Sequence, residues 1–444
     1  MSDKTPPEGK SAPSEPATPK ANGHANGHAK PAGKPRVKQA DPAAVAWRAH
    51  LDFNKDGNVR SNFANALTAL RQAPELVRLV GFDQMANLPM IRRFVPGSSR
   101  RRSGSLPRPL EDVDEGAVRE WLQREIKMTS LPEGELRRAI QLVAAENAFH
   151  PVRDYLTALR WDGTVRLYRW LERHLGVARS LYASEVGSRF LIAMVARVMQ
   201  PGCQADHMLV LEGPQGTGKS SACRILAGEW FSDNLPDLNR CDPVRLSMHL
   251  QGKWLIEVAE LSAIGRSGVD TLKAFLTQTQ ERYVRKFAHH EATEARQCLF
   301  IGSTNRTAEY LHDETGARRF WPVLTSNIDL DGLRRNRDQL FAEATHLYLE
   351  GKPWWPDRTF EAEHLAPQQE ARHEADAWSE TIAKFLGSRV ETTLTQVAQH
   401  GLGMQIHKVG TIEQRRVSAV LLRLGWVQGP RRSDRRPWVK KLSH

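Results

Sequence analysis

The chain has 444 residues, 40% hydrophobic and 26% charged, the composition of a soluble globular protein of two to four domains at about 100–200 residues each. Lysine and arginine number 63 against 51 aspartates and glutamates, so the net charge is +12, which favours a polyanionic partner, nucleic acid before anionic membrane. The sequence has no apolar run of about 18 residues, no apolar core in its first twenty and no CxxC among Cys203, Cys223, Cys241 and Cys298; this excludes a membrane span, a secretory signal, a zinc ribbon and a disulfide framework, and a cytoplasmic protein with reduced thiols is expected.

Residues 1–42 are rich in Pro, Ala, Gly and Lys, lack periodic apolar positions, and are expected to form a disordered basic tail. From 43 to 175 a helical region is expected. In its first part Phe63, Leu67 and Leu70 fall at helical spacing, as do Leu76, Leu79 and Val80 up to about Met90. An arginine-rich linker near 96–108, with Arg100, Arg101 and Arg102 among Gly, Ser and Pro, interrupts it. Asp52, Asn54 and Asp56 imitate the start of a calcium loop, but Phe63 stands where a bidentate glutamate is needed.

Between 176 and 332 short apolar runs alternate with helical stretches, the pattern of an α/β fold with a parallel sheet. Gly213, Pro214, Gln215, Gly216, Thr217, Gly218, Lys219 and Ser220 match G-x-x-x-x-G-K-[ST] between the apolar strand Met208–Leu211 and a helix. There the glycines let backbone N–H groups cradle phosphates, with Ser221 next in line. Lys219 is suited to the β and γ phosphates of ATP and Ser220 to Mg²⁺. Hydrolysis also needs carboxylates at the metal and at the attacking water. The strand Trp254–Val258 offers Glu257 for the metal and, just beyond, Glu260 for the water. The strand Cys298–Gly302 leads to Asn305, whose amide can reach between the γ-phosphate and water. Arg318 and Arg319 suit an arginine finger; if it comes from a neighbouring subunit, catalysis requires assembly.

Residues 333–380 read as a helical segment and 381–444 as a small basic domain. Val417, Val420, Leu421 and Leu424 form an apolar stripe, and Trp426 opens a basic hairpin that could be the wing of a winged helix. Its Arg431, Arg432, Arg435 and Arg436 would grip phosphates with little sequence information. Most of the twelve tryptophans are expected in the core, and Trp354-Trp355 is expected to be a packed loop rather than a base-stacking platform.

The stretches beginning at His150 and Trp161, the phosphate loop, the strand of Glu257 and the segment from Ser303 to Val323 together resemble the virulence-associated E family of phage and mobile-element ATPases. That family is similar to superfamily 3 helicases and AAA+ ATPases. The resemblance implies a P-loop NTPase core and a DNA-dependent ATPase, a ring-forming, hexameric replicative helicase that acts with Mg²⁺ on single-stranded or forked DNA, with a separate primase as a partner. It further implies that the segment after the Glu257 strand forms a hairpin facing the pore. Here that segment carries Arg282, Arg285, Lys286, His289 and His290, with Tyr283 and Phe287 interleaved, so that cations meet phosphates and rings stack on bases. A reading from another class is a nucleotide-gated DNA-binding regulator or origin adaptor that hydrolyses slowly and does not translocate.

Overall fold

A computed structural model describes residues 46–97, 105–261, 266–284, 291–305, 317–372, 378–405, 407, 409–430 and 437–440. The basic tail, Arg100–Arg102, the hairpin tip with Arg285, Lys286, Phe287, His289 and His290, and the wing arginines Arg431, Arg432, Arg435 and Arg436 lie outside these residues.

The first unit mixes helices with a small sheet, where helices alone were expected. Helix Phe63–Gln72 starts at Asn62, whose side chain accepts a hydrogen bond from the Asn65 amide. It ends because Pro74 forces the preceding Ala73 into an extended conformation (φ −64°, ψ 126°). Arg78 and Asn87 then adopt positive φ, which no helix accepts. Leu76 and Leu79 therefore lie on a turn, and Val80 opens an antiparallel hairpin of β1 (Val80–Asp83) and β2 (Leu88–Ile91), joined by β3 (Arg108–Pro109). Helices Asp112–Glu125 and Glu133–Glu146 close over it, burying Leu67, Leu70, Leu79, Ile91, Val118, Leu122 and Ile140 in one core.

A second core begins with helices Pro151–Ala158, Trp170–Leu175 and Leu181–Met199 and is built round a five-stranded parallel sheet. Its strands are β4 (Met208–Glu212), β5 (Phe231–Ser232), β6 (Leu255–Val258), β9 (Leu299–Thr304) and β10 (Phe320–Leu324), in the order β10-β4-β9-β6-β5. Every residue of β4, β6 and β9 is buried, as a parallel sheet covered on both faces requires. Leu209 and Leu211 face helices Leu181–Met199, Lys219–Ala227 and Leu330–Leu349; Met208 and Val210 face the side of helix Arg266–Leu276. Leu156, Leu171, Leu333 and Phe341 share the first of these faces. The core thus runs past both boundaries expected from sequence, at 175 and at 332. Between β6 and β9, β7 (Gln280–Val284) and β8 (Glu291–Ala295) form an antiparallel hairpin apart from the sheet.

The last unit pairs helices Ser379–Leu386 and Thr411–Arg423 with an antiparallel sheet of β11 (Glu391–Thr392), β12 (Trp426–Gln428) and β13 (Trp438–Lys440) in the order β11-β13-β12. Val417, Val420, Leu421, Trp426 and Trp438 are buried in its core, and Leu424 packs at the margin. Among the described residues no helix is long and apolar enough to cross a membrane.

Candidate functional site

The turn after β4 is shaped by its glycines. Gly213 (φ 143°) passes so close to Thr325 that a Cβ would meet its hydroxyl at 2.9 Å, and Gly218 (φ 95°) delivers the chain into helix Lys219–Ala227. Lys219 is buried and folds back on the loop, its Nζ donating to the carbonyls of Gly213 and Pro214 at 2.7 Å each. Gly213 and Pro214 thus serve through their carbonyls rather than as walls. Gln215, Gly216, Thr217, Gly218, Lys219, Ser220 and Ser221 line a hollow of about 370 Å³, closed by Glu260 and by Ser303, Thr304 and Asn305. Burial holds the Lys219 ammonium below the ordinary lysine value, and the Glu257 carboxylate opposes that shift.

Glu257 lies behind this hollow. It is 1% exposed, and its Oε1 accepts from the hydroxyls of Ser220 (2.8 Å) and Ser303 (2.6 Å). Its Oε2 is sealed from solvent and has no hydrogen-bond partner. A buried carboxylate oxygen in that state costs stability unless something cationic reaches it. Glu260 is exposed at the edge of the hollow with φ 51°, a strained backbone for a residue with a Cβ. Asn305 follows β9, and its Oδ1 is 3.5 Å from the Lys219 Nζ. Lys219, Ser220, Glu257, Glu260 and Asn305 therefore meet at the carboxyl ends of β4, β6 and β9.

Arg318 and Arg319 do not join them. They precede β10, whose Phe320 is level with Met208 and whose Leu324 is level with Glu212. The parallel register leaves both arginines at the amino ends of the strands, roughly 20 Å along the sheet from Gly213 at about 3.3 Å per residue. Arg318 is exposed; Arg319 is half-buried, and its Nε has no partner.

Two pieces of the surroundings were invisible in the sequence. The hydroxyl of Ser303 shares Glu257 with Ser220, although only the strand that carries it was recognised. Glu212, fully buried just ahead of the loop, takes a bidentate pair of hydrogen bonds from Arg372 at 2.7 and 2.8 Å. A separation of 160 positions between these partners leaves no local signal.

Of the expected nucleic-acid contacts, Arg282 is exposed on β7 opposite Thr293. The hairpin's base is anchored by Arg296, whose side chain is buried, paired with Glu281 and set over the Phe275 ring at 4.4 Å. The turn between β1 and β2 packs against the same base. The Met85 carbonyl accepts from the Gly252 amide at 2.9 Å, and the Gln84 carbonyl accepts from the Gln297 side chain at 2.9 Å. Buried His150 holds that glutamine from the other side. Its Nδ1 accepts from the Arg153 amide, so Nε2 carries the proton and donates to Gln297 Oε1 at 2.6 Å.

Residues 156–375 match the model of the virulence-associated protein E-like domain. Among curated proteins, DNA polymerase III subunit gamma/tau of Mycobacterium tuberculosis and of Mycobacterium bovis is 31% identical over 118 residues, 25% of this chain and 20% of that protein. The chain thus spans about one fifth of the length of the curated relatives it matches. Among solved structures, the apo structure of NrS-1 C terminal region (305-718) is 14% identical, covering 77% of this chain and 82% of that chain with a TM-score of 0.42. Its A form covers 81% and 95% with a TM-score of 0.41.

Proposed function

The chain belongs, through residues 156–375, to the virulence-associated protein E-like family, and on that premise we propose that it is a DNA-dependent, magnesium-requiring ATPase of phage or mobile-element replication, a P-loop NTPase of the AAA+/superfamily 3 kind that moves on single-stranded or forked DNA. The observation that carries the reading is Glu257, a sealed carboxylate with one oxygen on Ser220 and the other without a partner. Ser220 and Glu257 are hard oxygen donors of the kind Mg²⁺ prefers, and together with phosphates and water they suffice to hold it. That ion would neutralise phosphate charge. The chain's own groups do the remainder. The amides of 215–220 cradle the phosphates, and Lys219 exchanges two loop carbonyls for phosphate oxygens. Glu260 and Asn305 flank the place of an attacking water.

Arg318, exposed at the far end of the sheet, would complete the site of a neighbouring copy, which accords with a ring, in the simplest case a hexamer. The β7–β8 hairpin and the C-terminal unit, whose helices and three-stranded antiparallel sheet suit a winged helix, would carry the DNA contacts. A separate primase is the expected partner and the cytoplasm the expected place.

The test is ATP turnover with and without single-stranded DNA, together with unwinding of a fork. Turnover that rises with DNA, unwinding in the wild type, and loss of both in Lys219→Ala are expected. Turnover unchanged in Lys219→Ala would end the enzymatic reading. Binding to one duplex sequence without unwinding would favour the gated regulator.

A further inference from the structure

A second cavity, of about 570 Å³, opens at the amino ends of the sheet strands, away from the phosphate loop. Its size is that of a small-molecule site. One wall is aromatic. The Trp354 ring is fixed by its indole N–H, which donates to the Gln204 carbonyl at 2.8 Å, and it stands edge-on to Trp355 at 4.9 Å. Trp355 is 50% exposed, while Trp354 packs against the core as expected of this loop. The loop holding both rings is braced from below. Arg189, paired with Glu185, donates to the carbonyls of Pro353 (3.2 Å) and Trp355 (2.5 Å). The pocket is therefore built from fixed parts.

The opposite wall is polar and unsatisfied. Arg318, Arg319 and Glu361 line it, and behind that surface the Arg319 Nε is sealed from solvent without a partner. Asp206 lines it with an unpartnered, sealed Oδ1, while its Oδ2 accepts from the Gln204 amide at 2.8 Å. Between them His207 stacks on Trp321 at 4.4 Å. Burial, with Arg318, Arg319 and Arg189 nearby, pushes that imidazole down to about 4 against the pull of Asp206, so it is neutral and adds no charge to the cavity. A flat aromatic face, the guanidinium groups of Arg318 and Arg319 and the partly satisfied Asp206 carboxylate within one cavity match a ligand with an aromatic ring, an anion and a hydrogen-bond donor.

We propose that this cavity is a second nucleotide-binding site, with the base on Trp355, the phosphate on Arg319, and an amino or hydroxyl group of the base or sugar donating to Asp206. The nucleotide is either a free mononucleotide or one unit of a single strand. The cavity shares no lining residue with the phosphate hollow of its own chain, so AMP binding here and ATP turnover there can fail separately.

Equilibrium dialysis on the full-length Lys219→Ala chain tests it, with AMP and a short oligodeoxyadenylate as separate probes. AMP lacks the β and γ phosphates that the Lys219 loop grips. Saturable AMP binding is expected, retained in Trp355→Phe and weakened roughly tenfold or more in Trp355→Ala and in Arg319→Ala, the loss of one stacked base or one charge-assisted contact. Saturation by the oligonucleotide alone, with the same sensitivities, assigns the site to a strand. Absence of saturable binding by either probe at millimolar concentration overturns the proposal, as does binding indifferent to both Trp355→Ala and Arg319→Ala. Arg319 lies on a different element from the tryptophans, so its variant reports even if Trp355→Ala fails to fold.

Discussion

Replacing Glu257 by glutamine separates a residue kept for chemistry from one kept for stability. The carboxylate is 1% exposed and accepts two hydroxyl hydrogen bonds on one oxygen while the other has none. Hydrogen bonds to a charged acceptor contribute about 1.5–3 kcal/mol each, and glutamine keeps both through its own carbonyl oxygen. Burying the charge costs several kcal/mol, and that cost disappears on neutralisation. Against this, the new amide N–H group sits where Oε2 had no partner, at about 1–3 kcal/mol. The two changes oppose each other, so stability should alter by no more than about 2 kcal/mol. Function should change far more. Binding of Mg-ATP at a hundredfold excess over its dissociation constant stabilises the wild type by about 2.7 kcal/mol. For a domain of this size that raises the melting temperature by roughly 5–10 °C. In Glu257→Gln the magnesium-dependent part of that rise should vanish, while the rise given by ATP with EDTA persists, because Lys219 and the loop amides are untouched. Thermal melts with ATP, with and without magnesium, read this directly, and turnover read alongside should drop at least a hundredfold. A variant that keeps both the magnesium-dependent rise and turnover within a few-fold of wild type would refute the assignment of Glu257 to the metal.

Three other outcomes follow from the same structure. Arg372→Ala should destabilise the core by about 3–5 kcal/mol, because it strands the buried Glu212 carboxylate, whereas Glu212→Gln with Arg372→Met should cost much less; equal losses in urea melts of the two would contradict the pairing. His207 is held neutral to about pH 4 in the folded chain and titrates near 6.5 when unfolded, so the unfolded state binds the extra proton between those values. Stability from this group is complete above pH 6.5 and is lost as pH falls towards 4, by up to about 3 kcal/mol; His207→Phe should flatten that part of the melting-temperature profile, and an unchanged slope would rule the histidine out. Arg318→Ala should keep nucleotide binding and lose turnover by about 10³-fold or more, and mixing it with Lys219→Ala chains should restore part of the activity, since each mixed interface can contain one intact half-site from each parent; no recovery in a mixed assembly would count against a shared site.

The sequence revealed what is local and hid what is distant. The phosphate loop was legible because strand, turn and helix are contiguous, and each glycine has a conformational reason within a few residues. Glu257 followed from an apolar run too short for anything but a buried strand. The β7–β8 hairpin was legible in place, though its tip lies outside the described residues. The N-terminal hairpin was missed because Leu76, Leu79 and Val80 keep a helical spacing while Pro74 has already ended the helix. The strand Phe320–Leu324 was read only as the flank of two arginines. Its Pro322 argues against a central strand, and β10 is in fact an edge strand, where the missing N–H breaks no ladder. Glu212 and Arg372 could not be paired from sequence, since neither sits in a motif that names the other. The cavity beside Trp355 was hidden for a similar reason, because its other walls, Asp206 and Arg319, come from two other parts of the chain.

Strand polarity decides how the pieces can work together. In an all-parallel sheet every loop that follows a strand opens at one end, and every residue that leads into a strand lies at the other. Lys219, Glu260 and Asn305 follow their strands and Glu257 stands near the carboxyl end of β6; Arg318 and Arg319 lead into theirs. Rotation of side chains cannot close that gap, because an extended arginine reaches less than half of the roughly 20 Å spanned by the intervening strand at about 3.3 Å per residue. Nor can β4 shorten it, being buried along its whole length between β9 and β10. A guanidinium at the phosphate hollow must therefore come from another chain or from elsewhere in this one. Arg372 is already committed to Glu212 beneath the loop. Arg318 is exposed at the end of the sheet that a neighbour in a head-to-tail arrangement would meet. Such an arrangement is heterologous, and closing it without leaving a free end requires a ring.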